Sequence, residues 1–347
     1  MKGRVIALGR LEGRTAAALI EDGRLEDFLV DPPEDGPPKP GAIYRAICDR
    51  PMKGQGAMML RLPDGTGFLR AGKGLRPGQP LLVQVTGYAE PGKAVPVTAR
   101  ILFKSRHAIV TPDAPGLNIS RSIRDEQERL RLHDLAEEAM GQAGEGIGLI
   151  LRSAAQGADS HDIARDIAAQ LQLAGAVLAE AEGTDPEFLL DGPDAHFLAW
   201  REWGEPDLLA DGPRAFEEHG VHEMVQAMRR PRVPLTGRAE AFIEPTRALV
   251  AIDVNTGGDT SPAAGLKANL ALVRELPRQL RCRGLGGQIT IDFAPMPRKD
   301  RRHLEQQLRA AFRTDPVETA LVGWTPLGHF ELQRKRERLP LASGGTQ

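Results

Sequence analysis

Two stretches in the last third of the chain alternate apolar and polar residues with a period of two. In LVAIDVN (249–255), Val250, Ile252 and Val254 fall on one face of a strand, so Asp253 and Asn255 project from the other. In GGQITIDF (286–293), Ile289, Ile291 and Phe293 share a face, with Gln288, Thr290 and Asp292 opposite. Between them, Asn269 to Arg283 carries apolar residues at helical spacing and ends on the GLGG turn at 284–287, which predicts a helix of about four turns. Strand, helix, strand reads as a βαβ unit with parallel, adjacent strands. Asp253 and Asp292 then meet at the carboxyl ends of those strands, where open α/β sheets place their sites.

The rest of the chain alternates other patterns. Residues 1–36 predict two or three short strands, VIAL and AAALIEDGRLEDFLV, with a turn at Glu21-Asp22-Gly23, and a Pro-rich linker covers 32–41. From Ala42 to about Arg100, five short strands separated by Gly and Pro turns predict a small barrel of the oligonucleotide-binding (OB) type. Residues 101–195 mix strands with helices over Asp125 to Met140 and His161 to Glu182, which predicts an α/β module. A segment bearing Trp200 and Trp203, both read as core, precedes a helix over Pro213 to Met228. The fold class is therefore α/β and multidomain, and 347 residues suit two or three domains.

Composition narrows the partners. Charged residues make up 27% and the net charge is −2, so no global basic field attracts a polyanion and any nucleic-acid contact must be local. Cys48 and Cys282 lie far apart, which suits a reducing cytosol and excludes a disulfide framework. No apolar run reaches membrane length and no signal peptide opens the chain, so a soluble, cytoplasmic protein without membrane contact is expected. His219 and His222 sit three apart beside Glu223, but no further ligand cluster follows, and a solvated helix face is the better reading.

Two aspartates on neighbouring strands repel, and a divalent cation is the usual resolution. The ligands are hard oxygens without His or Cys beside them, so Mg²⁺ fits best and Mn²⁺ also fits. Spacing alone leaves open a second reading, in which both residues cap strand ends in an ordinary sheet. Lys267, Arg298, Lys299, Arg301, Arg302 and the RKRER run (334–338) suit either backbone phosphates or an ordinary charged surface.

The pair AIDVN and ITIDF, separated by NL…RQLRxRxLGG, belongs to a longer series. NISRSI (118–123) and GIGLILRS (146–153) lie upstream, LRAAFRTD (308–315) and LGHFELQRKR (327–336) downstream. Together they resemble the ribonuclease E/G family, bacterial endonucleases of mRNA decay and rRNA processing. The resemblance implies a ribonuclease-H-like fold from 1–36 with 196–235, and an S1-like barrel over 37–100. It further implies a 5′-sensor-like α/β module over 101–195, a deoxyribonuclease-I-like catalytic domain over 236–340, and a tail at 341–347. It assigns catalysis to Asp253, Asn255 and Asp292, with Asp253 and Asp292 as Mg²⁺ ligands and Asn255 holding the scissile phosphate or attacking water. RNA contacts fall on Phe68, Lys93 and Arg121, with Lys267 added from its charge, and a 5′-phosphate sensor on Ile109, Arg152 and Ser153.

Phe68 also suits core packing, Lys93 a solvated surface, Arg121 a loop-to-sheet tie and Arg152 an internal ion pair. The chain departs from the family in several places. Met58 stands where the family has a second aromatic, Glu318 where the sensor has a second Arg, and Arg247 where the family reads Glu. Thr256-Gly257-Gly258 follows Asn255, where a basic residue is usual. The CPxCxGxG run is missing, so no zinc and no zinc-linked tetramer are expected, although a homodimer through the catalytic domain remains compatible.

The resulting expectation is a Mg²⁺-dependent, single-strand-specific endoribonuclease that cuts A/U-rich RNA to 5′-monophosphate products. The alternative is an RNA-binding protein of the same fold with weak or lost nuclease activity. A metal-dependent phosphatase of small substrates fits the barrel and basic surface less well.

Overall fold

The computed structural model describes residues 3–52, 54–141, 144, 146–261 and 263–341. The expected tail lies, beyond Leu341, outside the described residues. Strands β1 (Arg4–Leu11), β2 (Arg14–Glu21) and β3 (Arg24–Val30) form a meander. Its two-residue loops, Glu12-Gly13 and Asp22-Gly23, have positive φ throughout, the type I′ geometry that matches strand twist.

Five strands follow: β4 (Ile43–Met52), β5 (Ala57–Leu62), β6 (Gly65–Leu69), β7 (Pro80–Val85) and β8 (Val95–Thr98). They run in the order β4-β5-β6-β8-β7, and pairing of β4 with β7 closes them into a barrel. A bulge between Cys48 and Pro51 bends β4 so that it serves both neighbours. Met58, Leu60, Val83 and Val97 fill the interior.

Next come β9 (Phe103–Lys104), β10 (Ala108–Thr111), β11 (Gly116–Ile119), α1 (Glu126–Met140), β12 (Gly148–Leu151) and α2 (Ser160–Ala179). The sheet order is β11-β12-β10-β9, and Val110, Leu149 and Leu151 share a core with Leu132 of α1 and Ile163 and Ile167 of α2. Asp125 and Asp159 cap the two helices by accepting from backbone N–H groups of the first turn. Strand β13 (Glu187–Leu190) returns to the barrel and pairs with β4, and α3 (Ala195–Glu202) follows.

Strand β14 (Leu208–Ala210) lies parallel to β1, giving the order β14-β1-β2-β3. The single helix expected over Pro213 to Met228 is two, α4 (Ala215–Glu218) and α5 (Val221–Arg229), because the chain leaves the helical path at Gly220, φ +65°. Of the two tryptophans expected in the core, Trp203 is 7% exposed but Trp200 is 46% exposed.

The remaining elements are β15 (Arg232–Pro234), β16 (Glu240–Pro245), β17 (Val250–Asn255), α6 (Ala264–Cys282), β18 (Gly287–Asp292), α7 (Arg301–Arg313), β19 (Thr319–Trp324) and β20 (Phe330–Arg334). They make a six-stranded sheet, β15-β16-β17-β18-β20-β19, in which β17 and β18 are parallel. The βαβ unit is as predicted, although α6 begins five residues before Asn269 and continues through Pro277. Ile252, Ile289, Ile291 and Phe330 pack against Leu272 and Leu276 of α6 and Leu304 and Leu308 of α7. The opposite side of β17 and β18 exposes Asp253, Asn255, Gln288 and Asp292.

The chain divides into two compact units, Met1–Pro33 with Pro206–Gln347, and Glu34–Glu205. Helix α3 therefore belongs to the second unit, beyond the boundary expected at 195. No helix among the described residues is long and apolar enough to cross a membrane. Both cysteines are free and buried, and burial, with Asp27 nearby, pushes the Cys282 thiol up to about 12.

Buried charge binds the first unit together. The Asp315 carboxylate accepts from Arg281 Nη1 at 2.6 Å, pairs with Arg334 Nη2 at 3.0 Å and caps the Val317 N–H at 2.9 Å. Arg281 also reaches Glu26 at 2.8 Å, and Arg338 grips Asp27. In RKRER, Arg334 and Arg338 thus point into the protein, and Arg336 donates to the Gly286 carbonyl at 2.9 Å. Asp315→Asn leaves two buried guanidiniums short of their counter-charge and should cost about 3–5 kcal/mol. A lower denaturant midpoint at unchanged slope would show it, and a loss below about 1 kcal/mol would count against the network's role.

Candidate active site

Burial of every second residue in β17 and β18 turns the acidic positions outward. Parallel pairing makes Asp253 and Asp292 direct cross-strand partners, with strand axes about 4.8 Å apart. Both are exposed. Asn255 donates from Nδ2 to Asp253 Oδ2 at 2.7 Å, which fixes that carboxylate's orientation. His329, which sequence reasoning missed, places Nε2 3.9 Å from Asp292 Oδ1. It follows from β20 pairing with β18: Phe330 stands opposite Ile291, so the preceding residue comes beside Asp292. A turn steadies it, with the Thr325 N–H donating to the His329 carbonyl at 2.8 Å.

The buried Asn269 of α6 is a second residue that the pattern did not single out. Its Oδ1 accepts from the Ala294 N–H and its Nδ2 donates to the Ala294 carbonyl, both at 2.9 Å. One carboxamide thus ties the segment just past Asp292 to the crossing helix. The Asn of the NL motif is the only trace of this in the sequence.

The donor set fits a hard divalent cation. Two carboxylates stand together, and neither is paired with Lys or Arg among the described residues. Among the described residues, the group of three acidic or histidine side chains with ligand atoms within 4.8 Å of one another lies elsewhere, at the exposed His133, Asp134 and Glu137. Asp253 and Asp292 could hold a cation such as Mg²⁺, which binds through one or two carboxylates and keeps several waters.

Both flanking helices start at the carboxyl edge of the strands. Lys267 on the first turn of α6 is exposed, as are Arg298 and Lys299 ahead of α7 and Arg302 at its start. Arg301 differs, because its guanidinium lies 4.3 Å from the ring centre of Trp324, whose Nε1 donates to Glu305 at 2.7 Å. In the Thr256-Gly257-Gly258 run, only Gly257 is sterically constrained. A Cβ on Gly257 would fall 1.8 Å from the Arg238 carbonyl oxygen, so the chain passes too close for a side chain. Arg247 is exposed between β16 and β17.

In the unit of 34–205 the expected RNA contacts are scattered. Phe68 on β6 is half-buried opposite Met59 and Pro96, and Met58 is fully buried in the barrel. Lys93 is exposed and paired with Glu90 at 2.6 Å, and Arg121 is exposed in the turn after β11. Ile109 pairs with Ile150, while the Arg152 N–H donates to the His107 carbonyl at 2.8 Å. The Arg152 guanidinium donates to Glu202 Oε2 at 2.5 Å and to the Ser105 carbonyl at 2.6 Å. Burial alone would raise the Glu202 carboxyl, but Arg201 and Arg152 outweigh it and hold it below the usual range. Its contribution to stability is thus present above the ordinary carboxylate pKa and lost as pH falls through the depressed value. Ser153 is exposed, and Glu318, in the other unit, is exposed just ahead of β19.

The model of the Ribonuclease E/G family matches residues 103–210 and 205–337. Ribonuclease E of Nostoc sp. is 27% identical over 383 aligned positions, covering 94% of this chain and 55% of that protein. Ribonuclease E of Synechocystis sp. is also 27% identical, over 94% of this chain and 56% of its own. Ribonuclease G of Escherichia coli K12 is 28% identical over 305 positions, 76% of this chain and 61% of its own. The chain spans little more than half the length of these curated relatives. The matched stretches take in Arg152, Asp253, Asn255 and Asp292, and the chain belongs to the ribonuclease E/G family.

Proposed function

We propose that the chain is an endoribonuclease of RNA processing or decay, acting on single-stranded mRNA or rRNA. Its relatives are named ribonuclease E and ribonuclease G. The observation that carries the reading is the cross-strand pairing of Asp253 with Asp292 at the exposed carboxyl ends of two central strands. These carboxylates would hold Mg²⁺, or Mn²⁺ in its place. When bound, such a cation supplies a Lewis acid for a phosphoryl oxygen and acidifies a water.

The protein's own part is positioning. Asn255 orients Asp253 and keeps a second N–H for a phosphate oxygen. Lys267, Arg298, Lys299 and Arg302 provide phosphate contacts along the same edge. Attack of a water oxygen on phosphorus breaks the P–O3′ bond, the departing 3′-oxygen takes up a proton, and the products are a 5′-monophosphate and a 3′-hydroxyl. In this reading the β15–β20 sheet with α6 and α7 is the deoxyribonuclease-I-like catalytic part, and the barrel is an S1-like module where Phe68 stacks on a base.

The second reading is an RNA-binding protein with weak or lost cleavage. The buried Met58 and the Lys93–Glu90 pair favour it, because both thin the barrel's contact surface.

Asp253→Asn and Asp292→Asn should each lower cleavage of a labelled A/U-rich RNA by about a thousandfold, the several kcal/mol that a cation's charge supplies. The double variant should be no worse than either single, and gel-shift binding in EDTA should be kept. Undiminished cutting by Asp292→Asn would refute the assignment. Binding without cutting by the unaltered protein would select the second reading. Asn269→Leu strands the Ala294 N–H and carbonyl, so it should cost about 2–4 kcal/mol of stability and slow turnover together. Unchanged melting and turnover would show that the carboxamide does not position Asp292.

A further inference from the structure

No His or Cys neighbours Asp253 or Asp292 along the chain, yet the fold brings a nitrogen donor to them. The hairpin between β19 and β20 closes on Thr325, whose N–H donates to the His329 carbonyl at 2.8 Å and whose Oγ1 accepts from the His329 N–H at 3.1 Å. The Gly328 N–H donates to the Thr325 carbonyl at 3.0 Å, and Gly328 takes a φ of +97° that suits glycine. The backbone of His329 is thus fixed by its own turn. Register then carries the ring to Asp292, because Phe330 stands opposite Ile291 and the next pair along follows at the carboxyl end of β18.

His329 Nε2 and Asp292 Oδ1 face one another at 3.9 Å, too far for a hydrogen bond. Among the described residues the imidazole has no other partner. The two side chains are 38% and 65% exposed, so burial does not force them together. Two atoms that each lie about 2.1 Å from one divalent cation are no more than about 4.2 Å apart. The gap is therefore wrong for the pair alone and within the span of two ligands on one ion. Asp253 stands across from Asp292, with Oδ2 engaged by Asn255. The three ligand atoms do not all lie within 4.8 Å of one another, so closing on an ion asks the exposed Asp253 carboxylate to turn.

We propose that His329 is a third ligand of the cation held by Asp253 and Asp292, and that it turns the site from Mg²⁺ toward a first-row transition ion. Mn²⁺, Co²⁺ and Zn²⁺ accept an imidazole nitrogen beside carboxylate oxygens, whereas Mg²⁺ is harder, keeps its water and gains little from the ring. The inference rests on the reading of the two aspartates as metal ligands, and adds which kind of ion they select together with His329.

The test uses Mn²⁺ as the probe, added to the whole chain without RNA. Pulsed electron paramagnetic resonance detects a directly bound nitrogen by the modulation it imposes on the electron spin echo. Every protein carries His133→Ala, because the exposed His133, Asp134 and Glu137 on α1 offer Mn²⁺ a nitrogen of their own. In that background the echo should show nitrogen modulation, and adding His329→Leu should remove it. Titration should show Mn²⁺ bound at least about tenfold more weakly after His329→Leu, the loss that removing even an indirect support of a metal ligand brings. Mg²⁺ affinity, measured by competition, should stay the same. Should His329→Leu melt at the assay temperature, His329→Gln takes its place, since it offers an oxygen but no ring nitrogen. The proposal is overturned if the parent shows no nitrogen modulation, if the modulation survives the loss of His329, or if the ratio of Mn²⁺ to Mg²⁺ affinity is unchanged. Failure of the underlying reading looks different: Asp253→Asn and Asp292→Asn then bind Mn²⁺ as tightly as the parent, and both proposals fall.

Discussion

The constraint on which the first unit depends is the single-sided burial of β17 and β18. Ile252, Ile289 and Ile291 lie under α6 and α7, so neither strand can slip by one residue without moving an aspartate into the apolar layer. Register, site geometry and core packing are thereby one decision. The crossover through α6 makes the strands parallel and brings both carboxylates to the same edge. Asn269 then fixes the segment beyond Asp292 from within the helix.

A second layer of order is electrostatic. Arg281, Arg334 and Arg338 lie among Asp27, Glu26 and Asp315, joining β3, α6 and the end of β20 inside one unit. Ionic contacts of this kind demand particular partners at particular distances, which apolar packing does not. They leave the charge balance unchanged, because each buried guanidinium takes a carboxylate with it, and it is 47 Asp and Glu against 45 Lys and Arg that deny the chain a broad basic field.

Local patterns in the sequence were enough to find the meander, the closed barrel, the βαβ unit and the outward face of Asp253, Asn255 and Asp292, because burial of alternate residues leaves a direct trace. What escaped depends on distant pairing. His329 meets Asp292 only because β20 lies beside β18, and Glu202 meets Arg152 only because α3 returns to the strand end at β12. RKRER looked like a surface run because charge density says nothing of direction, and Arg334 turns inward to Asp315. Trp200 showed the reverse error: its size suggested core, yet α3 leaves it outside, tilted against the ring of Phe197.

The barrel's connection to β13 changes what kind of module it is. By sequence it looks like a self-contained insert that follows the Pro-rich linker at 32–41, yet β4 has three partners, and one of them arrives from residues 187–190. Arg45 of β4 is almost wholly buried, and its guanidinium is satisfied by the carbonyls of Asp185 and Glu180 and by the carboxylate of Glu187. Cut out over 37–100, the barrel would bare a strand edge and leave Arg45 without the partners that hold it among the described residues. It is thus fastened to the segment that follows the α/β module, and the two must be exchanged, truncated or grafted as a single piece.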